Sequence, residues 1–329
     1  MEIEINLNEN GTKIIFMGTP DFAKGVLQEI INSVNEVVAV VTAPDRPAGR
    51  GQKIRKSAVK LHAEINDIPI LQPEKLKADA FISDLKGLDA DLFVVVAFRM
   101  LPEVVWSIPP KGTINLHASL LPNYRGAAPI NWAIINGEKT TGITTFYIND
   151  KIDTGDILKQ NSIPISENMN AGNLHDALME EGSKLVVQTL EGIAEEKLSS
   201  KKQHDIEGIT IKHAPKIFKT DCEINWTNNV QDIHNKIRGL SPYPGAWCFL
   251  YNTAKKAKVQ FKLFLSEIPE ITSTERGNKL KLSEKGILFP GIDGYLSVSE
   301  LQIEGKRRMN YKEFTAGNDL NDFEIILES

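Results

Sequence analysis

The sequence predicts an α/β domain, a doubly wound and mostly parallel Rossmann-like sheet, followed by a small β-barrel. Three observations carry that expectation. Continuous runs of apolar, β-branched residues alternate with helical stretches in the first half, and such runs suit a parallel sheet covered by helices on both faces. A polar stretch rich in Glu, Lys and Ser, Glu195 to Gly208, reads as an interdomain linker. Beyond it, short alternating strands are separated by Gly, Asn and Pro.

The first run, Lys13 to Met17, breaks at Gly18-Thr19-Pro20. A helix follows with Phe22, Val26, Leu27 and Ile30 on one face, and Pro20 suits its first turn, where a missing N–H costs nothing. The break contains neither G-x-G-x-x-G nor a Walker lysine, so it is a tight structural turn and not a phosphate loop. The second run is Val37 to Val41 and the third Leu92 to Val96, after another helical region. Repeated β-α-β order places a ligand site beyond the carboxyl ends of the strands. From about Ala171 to Glu195, Leu174, Leu178, Leu185, Val186, Leu190 and Ile193 recur at helical spacing. After the linker, Thr227 is expected to cap a helix that carries Val230, Ile233 and Ile237 and ends at Gly239. Strands are expected at 259–265, 279–282, 286–289 and 296–303. These residues alone allow a barrel or a sandwich, and an OB-like barrel is the form we expect.

With 41% apolar and 25% charged residues, the balance is that of an ordinary globular chain. With a net charge of −5 nothing in bulk suggests a nucleic-acid binder, so any such role must come from local basic patches. Cys222 and Cys248 stand far apart and form no C-x-x-C, which argues against a disulfide scaffold and a cysteine zinc site. The acidic, polar start resembles neither a secretory signal nor a mitochondrial presequence. Apolar runs such as Leu92 to Phe98 are too short to span a bilayer. The expectation is a cytoplasmic, monomeric protein with no membrane role and no metal.

The chemically informative segment runs from Gly112 to Pro122. On a strand, Asn115 and His117 point to the same face while Leu116 faces the core. An amide that can donate to a developing oxyanion, beside an imidazole that can move a proton, suits acyl transfer. Asp153, in the acidic turn Ile152-Asp153-Thr154-Gly155-Asp156, is placed to orient His117 and stabilise its charged form. A lone histidine is more often a satisfied core residue. The paired asparagine and the loop immediately after shift the reading toward chemistry. His62, His175, His204 and His234 lack an H-x-x-x-H or cysteine partner and read as core or surface residues. The basic run Arg46, Arg50, Lys53, Arg55, Lys56 and Lys60, interleaved with Gly49 and Gly51, is either a solvated loop or a phosphate clamp. The same two readings hold for Lys306-Arg307-Arg308, and for His213 among Lys212, Lys216 and Lys219. Trp226 and Trp247 are expected in the core of the second half.

Four stretches carry a resemblance: Phe16 to Phe22, Pro44 to Gly51, Asn115 to Ile130, and Ile152 to Asp156. Together they resemble the folate-dependent formyltransferases. The Pro44 to Gly51 loop points to the tRNA branch of that family, the methionyl-tRNA formyltransferases. The resemblance extends to Asp221–Trp226, Arg238–Pro244 and Gly305–Met309. It implies transfer of a formyl group from 10-formyltetrahydrofolate to the α-amine of methionine on initiator methionyl-tRNA, with no metal. It assigns Asn115, His117 and Asp153 to catalysis and Ser119, Leu120, Leu121 and Pro122 to folate. Arg46, Arg50, Lys53, Arg55, Lys306 and Arg307 are the candidates for tRNA. The implied division is a catalytic domain at 1–196, a linker at 197–215 and a tRNA-binding β-barrel at 216–329. The alternative is a formyltransferase acting on a small amine, such as glycinamide ribonucleotide or a sugar nucleotide, which would need neither the basic loop nor the second domain. Two departures stand out. Phe98-Arg99 replaces the family's Tyr-Gly with one residue fewer, reshaping a wall of the folate pocket. Asn149, Asp150 and Lys151 precede the acidic turn in place of Asp and Gly.

Overall fold

The computed structural model describes residues 11–48, 53–203, 210–270 and 277–326. The apolar runs become strands where expected: β1 Lys13–Gly18, then α1 Asp21–Ile31 and β2 Glu36–Val41. A short ribbon follows, β3 Arg46–Ala48 and β4 Lys53–Arg55, then α2 Ala58–Ile65, β5 Ile70–Leu71, α3 Asp79–Gly87 and β6 Leu92–Val96. Next come α4 Glu103–Trp106, β7 Thr113–His117, β8 Arg125–Gly126, α5 Pro129–Ile135, β9 Thr140–Tyr147, β10 Ile157–Pro164 and α6 Ala171–Ala194. By contacts the chain forms two compact units. One comprises residues up to 126, 142–163 and 176–213; the other comprises 127–141, 164–175 and the chain from 214 on.

The first unit is built on a sheet of order β10-β9-β7-β6-β1-β2-β5. It is parallel from β5 through β2, β1 and β6 to β7, and antiparallel between β7 and β9. Both faces of the central strands are dry, which is why their sequences are continuously apolar. Ile15, Met17, Phe93 and Val95 pack with Phe81 and Leu85 of α3 and Val105 of α4. The alternate positions Ile14, Phe16, Val40 and Val94 are buried as fully. Phe22, Val26, Leu27 and Ile30 of α1 are buried, the face read from the sequence. Pro20 caps this helix from outside its first turn, its carbonyl accepting the Lys24 N–H at 3.1 Å. The chain leaves β1 toward β2 on one side and returns to β6 on the other. The crevice of a doubly wound sheet therefore lies at the carboxyl ends of β1 and β6, next to β7. The polar stretch after α6 does not hang free over its described part. Ile157 and Lys201 exchange backbone hydrogen bonds of 2.7 and 2.8 Å, covering the edge strand β10.

After β11 His213–Ala214, the second unit contains α7 Val230–Gly239 and the strands β12 Ala246–Asn252, β13 Ala257–Glu267, β14 Lys281–Leu282, β15 Ile287–Pro290 and β16 Tyr295–Ile303. β17 Met309–Asn310, α8 Tyr311–Gly317 and β18 Phe323–Ile325 complete it. The sheet order is β14-β15-β16-β13-β12-β18. A bridge between Lys279 and Glu324 joins its two edges, and the Ile325 N–H donates to Asn278 O at 2.8 Å. The sheet thus closes on itself, so a barrel forms and not a sandwich. Ile233 and Ile237 of α7 share its core with Phe261, Phe314 and both predicted tryptophans. Trp226 stacks on Phe289 at 5.5 Å. The cap of α7 corrects the sequence reading. Asn229, not Thr227, accepts the Asp232 N–H at 2.8 Å, and the Thr227 hydroxyl donates to Asn225 within its own turn. Both residue types cap well, and only the residue three before an N3 amide can reach it.

Two polar side chains of α7 are buried and satisfied. The Arg238 guanidinium donates to Met169 O at 3.0 Å and to the Asn235 side chain. His234 is 1% exposed; its Nε2–H donates to Glu167 O at 3.3 Å, leaving Nδ1 to accept the Ser266 hydroxyl at 2.9 Å. The neutral ring satisfies both bonds. Burial pushes His234 below its ordinary value of 6.5, outweighing the upward pull of the Glu167 carbonyl. The unfolded chain therefore takes up a proton near pH 6.5 that the folded chain refuses. Stability from this site is complete above pH 6.5 and declines as pH falls toward the depressed folded value. In urea unfolding between pH 7.5 and 5.5, the wild-type chain should lose stability more steeply than His234→Gln, by up to ~1.4 kcal/mol per pH unit. Equal slopes for the two chains would contradict the buried neutral ring.

Candidate active site

On β7 the side chains alternate as the spacing requires. Ile114 and Leu116 enter the core. Asn115 and His117 share the opposite face, with Asn115 half-buried between Val95 of β6 and Phe146 of β9. The Asn115 carboxamide has no hydrogen-bond partner among the described residues, so its two N–H donors are available at the carboxyl end of the sheet. A polar group is left unbonded at a half-buried position at a cost, unless a ligand or solvent supplies the partner.

His117 is buried and held by backbone. Its Nε2 lies 2.8 Å from Tyr124 O. A carbonyl can only accept, so Nε2 carries the proton and the neutral ring keeps its lone pair on Nδ1. Nδ1 faces Asp153 Oδ2 at 3.8 Å. That separation allows charge stabilisation but is too long for a hydrogen bond. Oδ2 instead accepts the Gly126 N–H at 2.9 Å.

Backbone in sparsely populated conformations sets this geometry. Tyr124 and Asp153 have φ of +60° and +54°, uncommon for residues with a Cβ and sustained only when the surroundings impose it. At Asp153 the surroundings are specific. The Gln203 amide donates to Asp153 O at 3.0 Å and to Gly155 O at 2.7 Å. Its Oε1 accepts from Arg125 Nε and NH2 at 3.1 and 2.8 Å. Gln203 thus ties the acidic turn to the Tyr124-Arg125-Gly126 segment. It stands in what reads as linker, and a lone amide in a polar stretch gives no signal of such a role. Asn149, one of the departures, closes the turn by accepting from the Lys151 N–H and the Thr154 hydroxyl, both at 3.0 Å.

The four loop residues after the strand divide by role. Ser119 is fully buried, its hydroxyl donating to Asn123 O at 2.6 Å and its carbonyl accepting the Thr144 hydroxyl at 2.7 Å. Leu121 is also buried, with its carbonyl accepting from Gln160 at 2.9 Å. These two residues shape the loop. Leu120 and Pro122 remain half-exposed. Thr144 and Gln160, which brace the loop, have no motif to announce them.

The basic run also separates. Lys60 is held by Asp45 at 2.6 Å and Lys56 by Glu64 at 2.8 Å. Hydrogen bonds from Lys60 and then Gln72 keep the Asp45 carboxyl below the usual range. Arg46 and Arg55, by contrast, stand directly opposite each other across the β3–β4 ribbon. Both are exposed and neither has a carboxylate partner among the described residues. Lys53 pairs in register with Ala48, and Arg50 lies outside the described residues. Arg99, at the family departure, donates to the carbonyls of Pro73 and Glu74 and lies 5.5 Å from the Phe98 ring. In the second unit Lys306 is exposed, whereas Arg307 is paired with Glu313 at 2.6 Å. Among the described residues no group of three or more His, Cys, Asp or Glu could hold a metal, and no helix is long and apolar enough to cross a membrane.

Residues 12–190 match the family model described as formyl transferase, and residues 216–319 match the one described as formyl transferase, C-terminal domain. The chain is 49% identical over 310 residues to the methionyl-tRNA formyltransferase of Flavobacterium johnsoniae, covering 94% of this chain and 97% of that one. It is 46% identical over 318 residues to that of Bacteroides fragilis, covering 96% and 98%. Among solved structures, WlaRD, a sugar 3N-formyl transferase, aligns with a TM-score of 0.61 at 22% identity, over 90% of this chain and 99% of WlaRD. HypX from Aquifex aeolicus aligns with a TM-score of 0.65 at 15% identity, over 93% of this chain, which spans about half (48%) of HypX. At those identities the two structures speak to the fold alone.

The acidic turn depends on close approach at one glycine. A Cβ on Gly155 would stand 1.6 Å from Tyr147 O. Gly155→Ala should therefore displace the turn and lower stability by roughly 1–3 kcal/mol, the usual cost of overpacking. The measurement is the urea midpoint at unchanged m-value, and a midpoint equal to wild type would show that the turn is not packed this way.

Proposed function

This chain belongs to the formyl transferase family, and from that premise we propose that it transfers the formyl group of 10-formyltetrahydrofolate to the α-amine of methionine on initiator methionyl-tRNA. The observation that carries the reading is Asn115 and His117 side by side at the carboxyl end of β7, with Asp153 3.8 Å from the free ring nitrogen. The near full-length identity to methionyl-tRNA formyltransferases supports the choice of acceptor. The match of residues 12–190 to the formyl transferase family supports the formyl donor.

The amine attacks the formyl carbon and the carbonyl electron pair moves onto oxygen. Asn115, with its amide N–H groups uncommitted, donates to that oxyanion. Nδ1 of His117 takes the amine proton, because Nε2–H is already committed to Tyr124 O. Asp153 stabilises the imidazolium so formed across 3.8 Å. The proton then passes to the folate nitrogen as its bond to the formyl carbon breaks. Holding both substrates in place contributes roughly 7–11 kcal/mol toward the barrier. Leu120 and Pro122 offer the exposed surface of the folate loop, while Ser119 and Leu121 maintain its shape. No metal enters this scheme.

On the tRNA side, Arg46 and Arg55 repel each other across the ribbon, and a phosphate backbone relieves that repulsion. Lys53, on the same ribbon, and Arg50, four residues after Arg46 in the sequence, are assigned to the same role. Lys306 is free to reach a phosphate, and Arg307 can exchange an exposed ion pair worth little. The division into a catalytic part at 1–196 and a tRNA-binding part at 216–329 fits this reading. The enzyme would work as a single copy in the cytoplasm, at the start of translation.

Single-turnover formylation of methionyl-tRNA tests the roles. His117→Ala should lose ~10²–10⁴ in rate and Asn115→Ala ~10²–10³. Asp153→Asn keeps an acceptor for the Gly126 N–H but loses the charge, so it should approach the His117→Ala loss. A folded His117→Ala chain that transfers formyl at near wild-type rate sinks the assignment.

A further inference from the structure

A cavity of about 440 Å³ lies in the second unit. Its lining includes three aromatic rings (Phe218, Tyr243 and Trp247), two lysines (Lys219 and Lys262) and Asn131, with no Asp or Glu. Tyr243 is 83% exposed and Phe218 60% exposed. Single exposed apolar side chains are ordinary, but two large aromatic rings lining one cavity are not.

The rings are also held in place. Tyr243 sits between Pro242 and Pro244, whose rings restrict the backbone. Gly245 ends the turn at φ +87°, where a Cβ would stand 3.1 Å from the Phe264 ring. The Trp247 indole N–H donates to Lys219 O at 2.8 Å. Cations surround them: Lys216 Nζ is 5.5 Å from the Phe218 centroid and Lys219 Nζ 5.9 Å from that of Trp247. Lys262 Nζ donates to Pro244 O at 2.8 Å. None of these lysines has a carboxylate partner among the described residues, in a chain whose net charge is −5. Asp221 does not neutralise them through a salt bridge; its carboxylate accepts the Phe218 N–H at 2.7 Å. Asn131 donates to Gly239 O at 2.7 Å, which leaves its Oδ1 facing no described donor.

We propose that this cavity binds one unpaired nucleotide of the tRNA, its base stacked on Phe218 and Tyr243 and its phosphates on Lys216, Lys219 and Lys262. Exposed aromatic faces beside lysines are how proteins hold single-stranded nucleic acid. A duplex keeps its base faces stacked inside, so the occupant is an unpaired base. Asn131 Oδ1 is placed to accept from an exocyclic amino group. The inference rests on the proposed tRNA substrate and adds to it a site, a ligand unit and a mode of contact.

The test is equilibrium binding of methionyl-tRNA by the full chain, with KM for tRNA and kcat measured alongside. Tyr243→Ala and Phe218→Ala should each raise the tRNA Kd by roughly 5- to 150-fold, the span of one lost base stack, and should raise KM more than they lower kcat. Tyr243→Phe should restore binding to within about twofold, since it keeps the ring face. Lys219→Ala should lower the salt slope of binding by ~0.7. A short single-stranded oligoribonucleotide should compete for the wild-type chain, and a blunt RNA duplex of equal length should compete far less. Alanine variants that stay folded and bind tRNA within twofold of wild type overturn the cavity proposal alone, as does a duplex that competes as well as the single strand. A wild-type chain that binds no tRNA overturns both this proposal and the function on which it rests.

Discussion

One hydrogen bond fixes the chemistry available at this site. The His117 Nε2–H is committed to Tyr124 O at 2.8 Å, which leaves Nδ1 as the nitrogen that can exchange a proton. The bond exists because Tyr124 adopts a left-handed backbone, and the loop before it is braced through Ser119, Thr144 and Gln160. The other side of the ring is set by a second left-handed residue, Asp153, tied through Gly126 and Gln203. Neither segment alone could hold the ring and the carboxylate 3.8 Å apart. The seven-stranded sheet supplies the rigid base from which both loops leave, one after β7 and one after the antiparallel β9, and sites on such elements are more precise than sites on loops alone.

Much of this is legible in the sequence. Short apolar, β-branched runs in repeated β-α-β order suit a covered parallel sheet, so Leu92 to Val96 is readable as a strand buried on both faces. Strand alternation placed Asn115 and His117 on one face with no knowledge of their neighbours. What stayed hidden depended on distance through space. Gln203 is far from Asp153 in sequence, and an amide in a polar stretch looks the same whether it is solvated or clamping a turn. The cap of α7 was misplaced because Thr227 and Asn229 have similar chemistry and only the helix start separates them. The basic run was visible as composition, but not that Asp45 and Glu64 neutralise Lys60 and Lys56 while Arg46 and Arg55 are left facing each other.

Charge pairing explains how a net-negative chain can handle a polyanion. Some of its lysines and arginines are matched locally, as Lys184 is by Glu180 and Glu181, and Arg307 by Glu313. Such exposed pairs add little stability, but they cancel charge where none is wanted. Cations without a carboxylate partner among the described residues include Arg46 and Arg55 of the β3–β4 ribbon and Lys216, Lys219 and Lys262 around the aromatic cavity of the barrel unit, where attraction to phosphate can act at short range. The core of that unit follows the opposite rule. His234 and Arg238 enter it only because carbonyls and side-chain oxygens meet their polar atoms, as buried polar groups require.

The central claim is that the resting His117 ring carries its proton on Nε2 and offers Nδ1 to the substrate amine. Nitrogen-15 NMR of the imidazole in the full-length protein reads this directly, with His117→Gln to assign the signal. The account predicts that neutral His117 shows a protonated Nε2 and an unprotonated Nδ1. A neutral ring with its proton on Nδ1 would contradict both the Tyr124 hydrogen bond and the proton path built on it.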